Sequence, residues 1–213
     1  MSGFDLSSAL KSLAPGRPLL IVDADEVILG FLDGLEAFLA SHGLYIDLTS
    51  YRLHGNIKRQ SDNSAVLDVE VTALLEEFRS DLDTLKAAAG ASEALARLSG
   101  QASIIVLSNI TESMGPARKR NLVSLGMDYP LVANDGPKGN AVKALATRAR
   151  AVSFFVDDIP QHLESATEFA PEVFRIHLVA SPRLRRLLPP TPHAHCSAED
   201  WTEAETFITE HLK

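Results

Sequence analysis

The stretch that decides the fold is Leu19-Leu20-Ile21-Val22-Asp23-Ala24-Asp25-Glu26-Val27, in which an apolar run ends abruptly at two carboxylates. The run is continuous rather than alternating, which predicts a strand buried on both faces, as in a parallel sheet. Ligands bind beyond the carboxyl ends of strands in open parallel sheets, so Asp23 and Asp25 stand where an active site is expected. The alternative is that these aspartates only cap the helix that follows.

Other apolar runs of the same character predict further parallel strands. They cover residues 104–107, 153–156, 173–179 and, more weakly, 130–133. Helical stretches lie between them at 93–98, 117–125, 139–148 and 161–169, and a last helix is predicted over 202–212. This alternation predicts an α/β fold, with an open, parallel, Rossmann-like sheet covered by helices on both faces.

The long interval between the first two core strands has a different pattern. Apolar residues recur at helical spacing from Phe31 to Leu39 and from Val71 to Leu85, and the polar segment between them, 51–64, has no strand signal. We therefore predict a small helical cap domain over 28–88 and a core domain over 1–27 and 89–213. Six cap residues are candidate contacts for a substrate, although we expect most of them to be solvated: Tyr51, Arg52, His54, Asn56, Lys58 and Arg59.

Two further clusters place donors and a cation at predicted element ends. Ser108 and Asn109 follow the strand at 104–107 and can donate hydrogen bonds to a phosphoryl oxygen, although Ser-Asn is also ordinary turn chemistry. Pro137 fits the first position of a helix, and the neighbouring Lys138 lies where a helix start already favours anions. The alternative for Lys138 is a solvated surface lysine.

The last cluster is the acidic pair Asp157-Asp158, which ends the strand predicted over 153–156. Adjacent buried carboxylates are costly without a cation or hydrogen-bond donors, so metal ligation is favoured over the alternative of a helix cap. Asp23 and Asp25 repel one another for the same reason. Hard oxygen ligands of this kind suit Mg²⁺.

Taken together, these four clusters resemble the haloacid dehalogenase-like (HAD) superfamily of phosphohydrolases. The pattern of that family is an apolar strand followed by Asp-x-Asp, a Ser or Thr after the second strand, a Lys at a helix start and a final acidic pair. The resemblance covers residues 19 to about 165, with the insertion in one of the usual places of the family. Glu26 stands where members often have glycine, and we expect it to have a structural role on the following helix.

The resemblance implies a Mg²⁺-dependent phosphatase that hydrolyses a small phosphorylated metabolite through an aspartyl-phosphate. Asp23 would be the nucleophile and Asp25 the general acid and base, while Ser108, Asn109 and Lys138 would bind the phosphate. Asp25 argues against dehalogenation, because a departing halide needs no proton whereas an alkoxide does. A phosphomutase and a non-catalytic HAD-like binding protein remain alternatives. A receiver domain is disfavoured, since its acidic pair follows the first strand and its lysine comes last.

For the metal, the resemblance implies that Asp25 contributes its backbone carbonyl, and that one of the acidic pair is a direct ligand and the other its support, with Asp158 favoured as the direct ligand. The predicted set is Asp23, Asp25, Asp157 and Asp158.

Composition limits the remaining partners and locations. The chain has 213 residues, 28 acidic and 20 basic, and a net charge of −8 repels a polyphosphate backbone, so we expect no nucleic-acid partner. The single cysteine, Cys196, excludes an internal disulfide. No apolar run approaches the ~20 residues that span a bilayer, and the first eighteen residues contain no signal-peptide core. We therefore expect a cytoplasmic enzyme without membrane partners.

Overall fold

The structure is a computed structural model that describes residues 4–80 and 82–212. Residues 1–3, Asp81 and Lys213, which the predicted domain ranges include, lie outside the described residues. The strands are β1 (Leu19–Val22), β2 (Leu44–Ile46), β3 (Ile57–Arg59), β4 (Ser103–Asn109), β5 (Leu131–Asn134), β6 (Ser153–Asp157), β7 (Phe174–Leu178) and β8 (Cys196–Ala198). The helices are α1 (Leu6–Ser12), α2 (Phe31–Ser41), α3 (Asp68–Ser80), α4 (Ala91–Leu98), α5 (Gly115–Ser124), α6 (Gly139–Ala149), α7 (Pro160–Phe169), α8 (Pro182–Arg185) and α9 (Trp201–His211).

Six strands form one sheet in the order β5-β4-β1-β6-β7-β8, and every neighbouring pair in it is parallel. β1 lies in the interior, because Leu19 pairs with Ser103 of β4 on one side and with Ser153 of β6 on the other. The strand order reverses next to β1, so a crevice beyond its carboxyl end is flanked by the ends of β4 and β6. The predicted open parallel sheet is confirmed.

The continuous apolar run of β1 is explained by burial on both faces of the sheet. Leu20 and Val22 belong to a buried cluster that includes residues of α4 and α9, whereas Leu19 and Ile21 belong to a second cluster with residues of α1, α6 and α7. None of the four side chains is accessible to solvent. Helices therefore cover both faces, as predicted.

The segment between β1 and β4, called the insertion below (residues 28–88), contains α2, a two-stranded antiparallel hairpin of β2 and β3, and α3. The prediction that 51–64 lacks strand structure was wrong, because β3 lies there. This strand has three residues and buries only Ile57, which is too short to show a period of two. α3 also ends at Ser80, so the apolar residues Leu82 and Leu85 are buried beyond the helix rather than within it.

The two chain connections to the insertion lie side by side. The Gly30 N–H donates to the Lys86 carbonyl at 3.0 Å, and the Ala88 N–H donates to the Ile28 carbonyl at 2.9 Å. The apolar residues of the insertion, among them Leu35, belong to the same buried cluster as Leu20. The insertion is therefore joined to the core by two adjacent chain segments, and it packs against the core through this buried cluster.

Several short elements outside the insertion were not predicted, including α1, α8 and β8. α1 is capped by the Asp5 carboxylate, which accepts from the Ser8 N–H at 2.8 Å, and it packs against α6 through Ala9. β8 extends the sheet beyond β7, and α8 lies between these two strands. Within 4–80 and 82–212, no helix combines the length and the apolar character that a membrane crossing requires.

Candidate active site

A cavity of about 320 Å³ lies at the carboxyl end of β1, where residues of the insertion face residues of the sheet. Five of the seven predicted site residues line it: Asp23, Asp25, Asn109, Lys138 and Asp158. The other two, Ser108 and Asp157, are buried and do not line the cavity. The sheet thus brings residues from four separate parts of the chain to one place.

Lys138 connects two of the predicted carboxylates. Its ammonium group donates to Asp23 Oδ1 and, at 2.7 Å, to Asp157 Oδ2, although these residues follow different strands. Only 1% of the Lys138 side chain is exposed. Burial opposes the charged form of this lysine, but the carboxylates of Asp157 and Asp23 outweigh it and raise the pKa of Lys138 above its usual value. The alternative of a solvated surface lysine is wrong.

The start of α6 is held tightly against α7. The helix begins at Gly139, so Lys138 is the cap residue and Pro137 precedes the helix instead of occupying its first position as predicted. The Gly139 N–H donates to Ser165 Oγ at 3.1 Å. A Cβ at this glycine would come within 2.3 Å of the Ser165 carbonyl oxygen, so a larger residue cannot fit here without moving Lys138.

The site holds more negative than positive charge. Burial raises the pKa of Asp23 to about 6, and the neighbouring carboxylates of Asp157 and Asp25 add to this effect while Lys138 opposes it. Burial is the largest cause that raises the pKa of Asp158 well above its usual value, and the charges of Asp157 and Asp23 raise it further. Two buried carboxylates therefore share one ammonium group, and the buried carboxylate of Asp158 has no ion pair with it, so the site favours the binding of another cation.

The hydroxyl group of Ser108 is buried and available to donate a hydrogen bond to a ligand. It lies near the end of β4, beside β1, and only 1% of the residue is exposed. Among the described residues its Oγ has no hydrogen-bond partner. A buried hydroxyl without a partner costs roughly 1–3 kcal/mol, so a ligand oxygen that accepted its proton would bind favourably.

Asn109 is held by neighbouring loops. Its Nδ2 donates to the Gly136 carbonyl at 3.0 Å and lies 3.3 Å from His162 Nε2, while its Oδ1 accepts from Asn134 Nδ2 at 2.7 Å. These contacts fix the loop that carries Lys138. His162, to which the sequence assigned no role, also lines the cavity, and burial together with Lys138 lowers its pKa to about 4. The sequence could have indicated His162, because it lies in the first turn of the helix that follows the acidic pair.

The partner of Asp25 was not predicted. Arg118 of α5 is fully buried, and its Nη2 lies 2.7 Å from Oδ1 and 2.9 Å from Oδ2 of Asp25. Its Nε and Nη1 have no hydrogen-bond partner within the described part of the chain. Arginine is rarely buried completely without a strong pairing. No sequence pattern distinguished Arg118 from the solvated arginines of the chain.

The residues predicted to surround the metal differ in what their side chains contact. Among residues 4–80 and 82–212, no group of three His, Cys, Asp or Glu side chains is arranged to hold a metal ion. The side chain of Asp25 pairs with Arg118, and the side chain of Asp157 pairs with Lys138. Asp23 and Asp158 remain as buried carboxylates that line the cavity. Two carboxylates in a region of excess negative charge still fit Mg²⁺, which commonly takes one or two carboxylates and keeps several waters.

Asp158 is the point at which the insertion contacts the core site. The Tyr51 hydroxyl donates to Asp158 Oδ2 across 107 residues of sequence. Burial and the adjacent Asp158 carboxylate raise the pKa of Tyr51, so its hydroxyl keeps its proton. On the other side, His177 Nε2 donates to the backbone carbonyl of Asp158 at 3.0 Å. The acidic pair therefore divides its contacts, with Asp158 directed to the cavity and Asp157 to Lys138.

Of the six candidate contacts in the insertion, Tyr51 is the one that lines the cavity among the described residues. Asn56 is buried and donates to the Ser50 and Arg52 carbonyls, which is a structural role. Lys58 pairs with Asp47. Three further candidates do not line the cavity: Arg52, His54 and Arg59. We expected most of the six to be solvated, but only two are exposed, Arg52 and His54. The other four are half-buried or, in the case of Asn56, buried.

Glu26 has the structural role that was expected for it. Its backbone has φ of 57°, a left-handed conformation that glycine adopts without cost, which explains why glycine is common at this position in the family that the sequence resembles. The buried carboxylate accepts from the Leu32 N–H of α2 at 2.7 Å and from the Ser181 N–H before α8 at 3.1 Å. Burial raises its pKa despite these bonds.

Comparison with known proteins identifies the fold. No protein-family model matches the chain, and no curated protein matches it. Solved structures do match. A HAD family hydrolase from Deinococcus radiodurans, with bound phosphate and sodium, has a TM-score of 0.60 and 16% identity, over 93% of this chain and 98% of that one. A haloacid dehalogenase-like family hydrolase from Streptococcus pneumoniae has a TM-score of 0.59 and 12% identity, over 90% and 98% of the two chains.

The defluorinating L-2-haloacid dehalogenase Rha0230 is also similar, with a TM-score of 0.59 and 14% identity over 91% of this chain and 95% of that one. At these identities the comparison concerns architecture and not activity. The chain has the fold of the haloacid dehalogenase-like hydrolases, over nearly its whole length and nearly the whole length of each of these proteins.

Proposed function

We propose that this protein is a phosphohydrolase that cleaves a small phosphate monoester through a phosphoryl group carried on Asp23. The observation that carries the proposal is the buried Lys138 ammonium, which bridges Asp23 and Asp157. The Ser108 hydroxyl, which has no hydrogen-bond partner among the residues that the structure describes, supports it. A carboxylate, an ammonium group and a hydroxyl donor at the end of a central parallel strand suit the transfer of an anionic group.

In the proposed reaction, an Asp23 oxygen forms a bond to phosphorus while the bond from phosphorus to the leaving-group oxygen breaks. Asp25 supplies the proton that the departing oxygen needs. Water then attacks the phosphorus and gives a proton to Asp25, and the bond between Asp23 and phosphorus breaks to release inorganic phosphate. Lys138 and Ser108 stabilise the charge on the transferring oxygens, and Asn109 fixes the loop that holds Lys138.

The carboxylates of Asp23 and Asp158, together with the backbone carbonyl of Asp25, would hold Mg²⁺. When bound, this cation supplies the positive charge that offsets the repulsion between an anionic nucleophile and a phosphate. Asp157 supports the site by holding Lys138 at 2.7 Å and by accepting from the Ile159 N–H at 2.8 Å, so we assign the direct ligand to Asp158.

We further propose that the insertion acts as a cap domain that selects the substrate. It contributes apolar residues to the cavity next to the polar site, among them Phe31, Leu35 and Leu53, and it also contributes Arg79. A cavity of about 320 Å³ matches a small leaving group. This combination of apolar and cationic residues suits a metabolite with a short apolar portion.

The test is release of inorganic phosphate from a panel of phosphorylated sugars, nucleotides and small acids, with Mg²⁺ or with a chelator. We expect turnover that requires Mg²⁺. The same preparation is offered short 2-haloacids, because one structurally similar protein is a haloacid dehalogenase. Halide release without phosphate release would overturn the proposal, as would the absence of phosphate release from every substrate. An isomeric phosphate product in place of free phosphate would identify a phosphomutase.

The contact between Tyr51 and Asp158 leads to a prediction about metal affinity. Tyr51→Phe removes a hydroxyl that occupies one oxygen of the proposed Mg²⁺ ligand, so we expect half-maximal activation at about fivefold lower Mg²⁺, equivalent to a hydrogen bond worth about 1 kcal/mol. Titration of activity and of the melting temperature with Mg²⁺ measures the change. Tyr45→Phe is the matched control, because its hydroxyl bonds Asn63 instead. An equal Mg²⁺ midpoint in wild type and Tyr51→Phe would contradict the prediction.

A further inference from the structure

We infer that Arg118 is a positioning residue for proton transfer by Asp25. The inference rests on the proposed function, since it assigns a second residue to the same reaction. It goes further in stating that the acid–base step depends on a guanidinium group that has no contact with the cavity itself.

The first observation is the contact between the two side chains. A single nitrogen of Arg118, Nη2, lies within 2.9 Å of both carboxylate oxygens of Asp25. The hydrogen bond goes to Oδ2, and together with the charge of the guanidinium it restricts the position of the carboxylate. The Asp25 side chain is 29% exposed and lines the cavity, whereas none of the Arg118 side chain is exposed. Arg118 therefore acts on a substrate only through Asp25.

The second observation is that the rest of this guanidinium is unused. Nε and Nη1 of Arg118 are buried without a hydrogen-bond partner among the described residues. A buried charge with unsatisfied donors is costly, and packing alone would be served better by an apolar side chain of similar size. The contact with Asp25 is the feature of this arrangement that an apolar residue could not replace.

The third observation is that the helix carrying Arg118 is anchored. Asn121, on the same helix α5, donates to the Asp83 carbonyl at 3.0 Å and to the Leu85 carbonyl at 2.8 Å. These carbonyls belong to the segment that returns from the insertion to the core. Arg118 is therefore held in place from both the core and the insertion.

The chemistry explains why a fixed Asp25 matters. In the first half of the proposed reaction the proton moves from Asp25 to the oxygen whose bond to phosphorus is breaking. In the second half a proton moves from the attacking water to Asp25. Both transfers need the same carboxyl oxygen within hydrogen-bond reach of the reacting oxygen. A carboxylate free to turn toward solvent would satisfy this geometry only part of the time.

The experiment compares wild type with Arg118→Met on a series of substituted phenyl phosphates whose leaving groups differ in basicity. General acid–base catalysis typically contributes about 10²–10⁴-fold. We expect kcat/KM of Arg118→Met to fall by roughly 10²-fold on phenyl phosphate and far less on p-nitrophenyl phosphate, whose leaving group needs little protonation. Asp25→Asn should show the same dependence on the leaving group. The double variant should be no slower than Asp25→Asn alone, because the two residues act as one unit.

The controls separate positioning from a general structural effect. Arg120→Met makes the same change two residues further along α5, at an exposed arginine that pairs with Asp83 at 2.7 Å, and should leave the dependence on the leaving group unchanged. Arg118→Lys should restore part of the activity on phenyl phosphate. It also carries the test if Arg118→Met does not fold, because wild-type behaviour of Arg118→Lys across the whole series would then overturn the inference.

The result that overturns the inference in the folded Arg118→Met variant is an equal loss on every substrate, or losses that add in the double variant. These outcomes are distinct from failure of the proposed function. If wild type releases phosphate and Asp23→Asn does not, the proposed function stands whatever Arg118→Met does. If wild type releases no phosphate from any substrate, both fail.

Discussion

Replacing Asp23 with asparagine is expected to abolish phosphatase activity, by about 10⁴-fold or more, because an amide cannot form the covalent phosphoryl intermediate. The fold should persist. Asn is nearly isosteric with Asp, and the change removes one of the two buried carboxylates that share the Lys138 ammonium group. Phosphate release and thermal unfolding of the same preparation measure the two effects.

A direct readout of the intermediate makes this prediction sharper. Wild type that is quenched in acid during turnover should carry one phosphoryl group by mass spectrometry, and Asp23→Asn should carry none. The matched control is Asp25→Asn, which keeps the nucleophile but lacks the group proposed to activate water. It should accumulate the phosphoryl protein with p-nitrophenyl phosphate and release phosphate slowly. A phosphoryl group on Asp23→Asn would place the nucleophile elsewhere.

The second large effect is expected from Lys138→Met. Loss of the ammonium group leaves the Asp23 and Asp157 carboxylates buried without their common partner. Breaking a buried ion pair from one side typically costs about 3–5 kcal/mol. Removal of a preorganised donor from a site that stabilises developing charge costs about 10²–10³-fold in kcat. The free energy of unfolding should therefore fall together with the activity.

Urea denaturation with and without Mg²⁺ distinguishes the causes of these losses in Lys138→Met. A cation that binds the folded protein should restore part of the lost stability, because it offsets the same carboxylates, but it should not restore the activity. Lys143→Met is the control, since Lys143 is exposed on the same helix and should change neither quantity measurably. Unfolding free energies that are equal in Lys138→Met and wild type would show that this lysine does not hold the carboxylates together.

Much of the core fold followed from sequence because buried parallel strands produce a pattern that depends on no distant residue. The run at Leu19–Val22 is apolar throughout because both faces of β1 are covered. α1, the hairpin of β2 and β3, and β8 were missed for the opposite reason. They have three to seven residues each, and so short a segment does not show a period.

The position of the site was predictable, but the directions of its side chains were not. Strand ends gave the location of Asp25 and Asp157, but not their side-chain partners, which are Arg118 and Lys138. The Tyr51 contact with Asp158 joins segments 107 residues apart. Contacts of this kind depend on how the insertion packs on the sheet, which no local pattern encodes.

Replacement of Glu26 by glycine would have two opposing effects on stability. Glycine would relieve the positive φ, a gain of about 1 kcal/mol. The same replacement would remove the shared acceptor of the Leu32 N–H in α2 and the Ser181 N–H before α8, at roughly 1–3 kcal/mol for each buried donor left without a partner. Glu26→Gly would therefore lose more stability than it gains, because the carboxylate joins two segments of the chain that the backbone conformation alone does not hold.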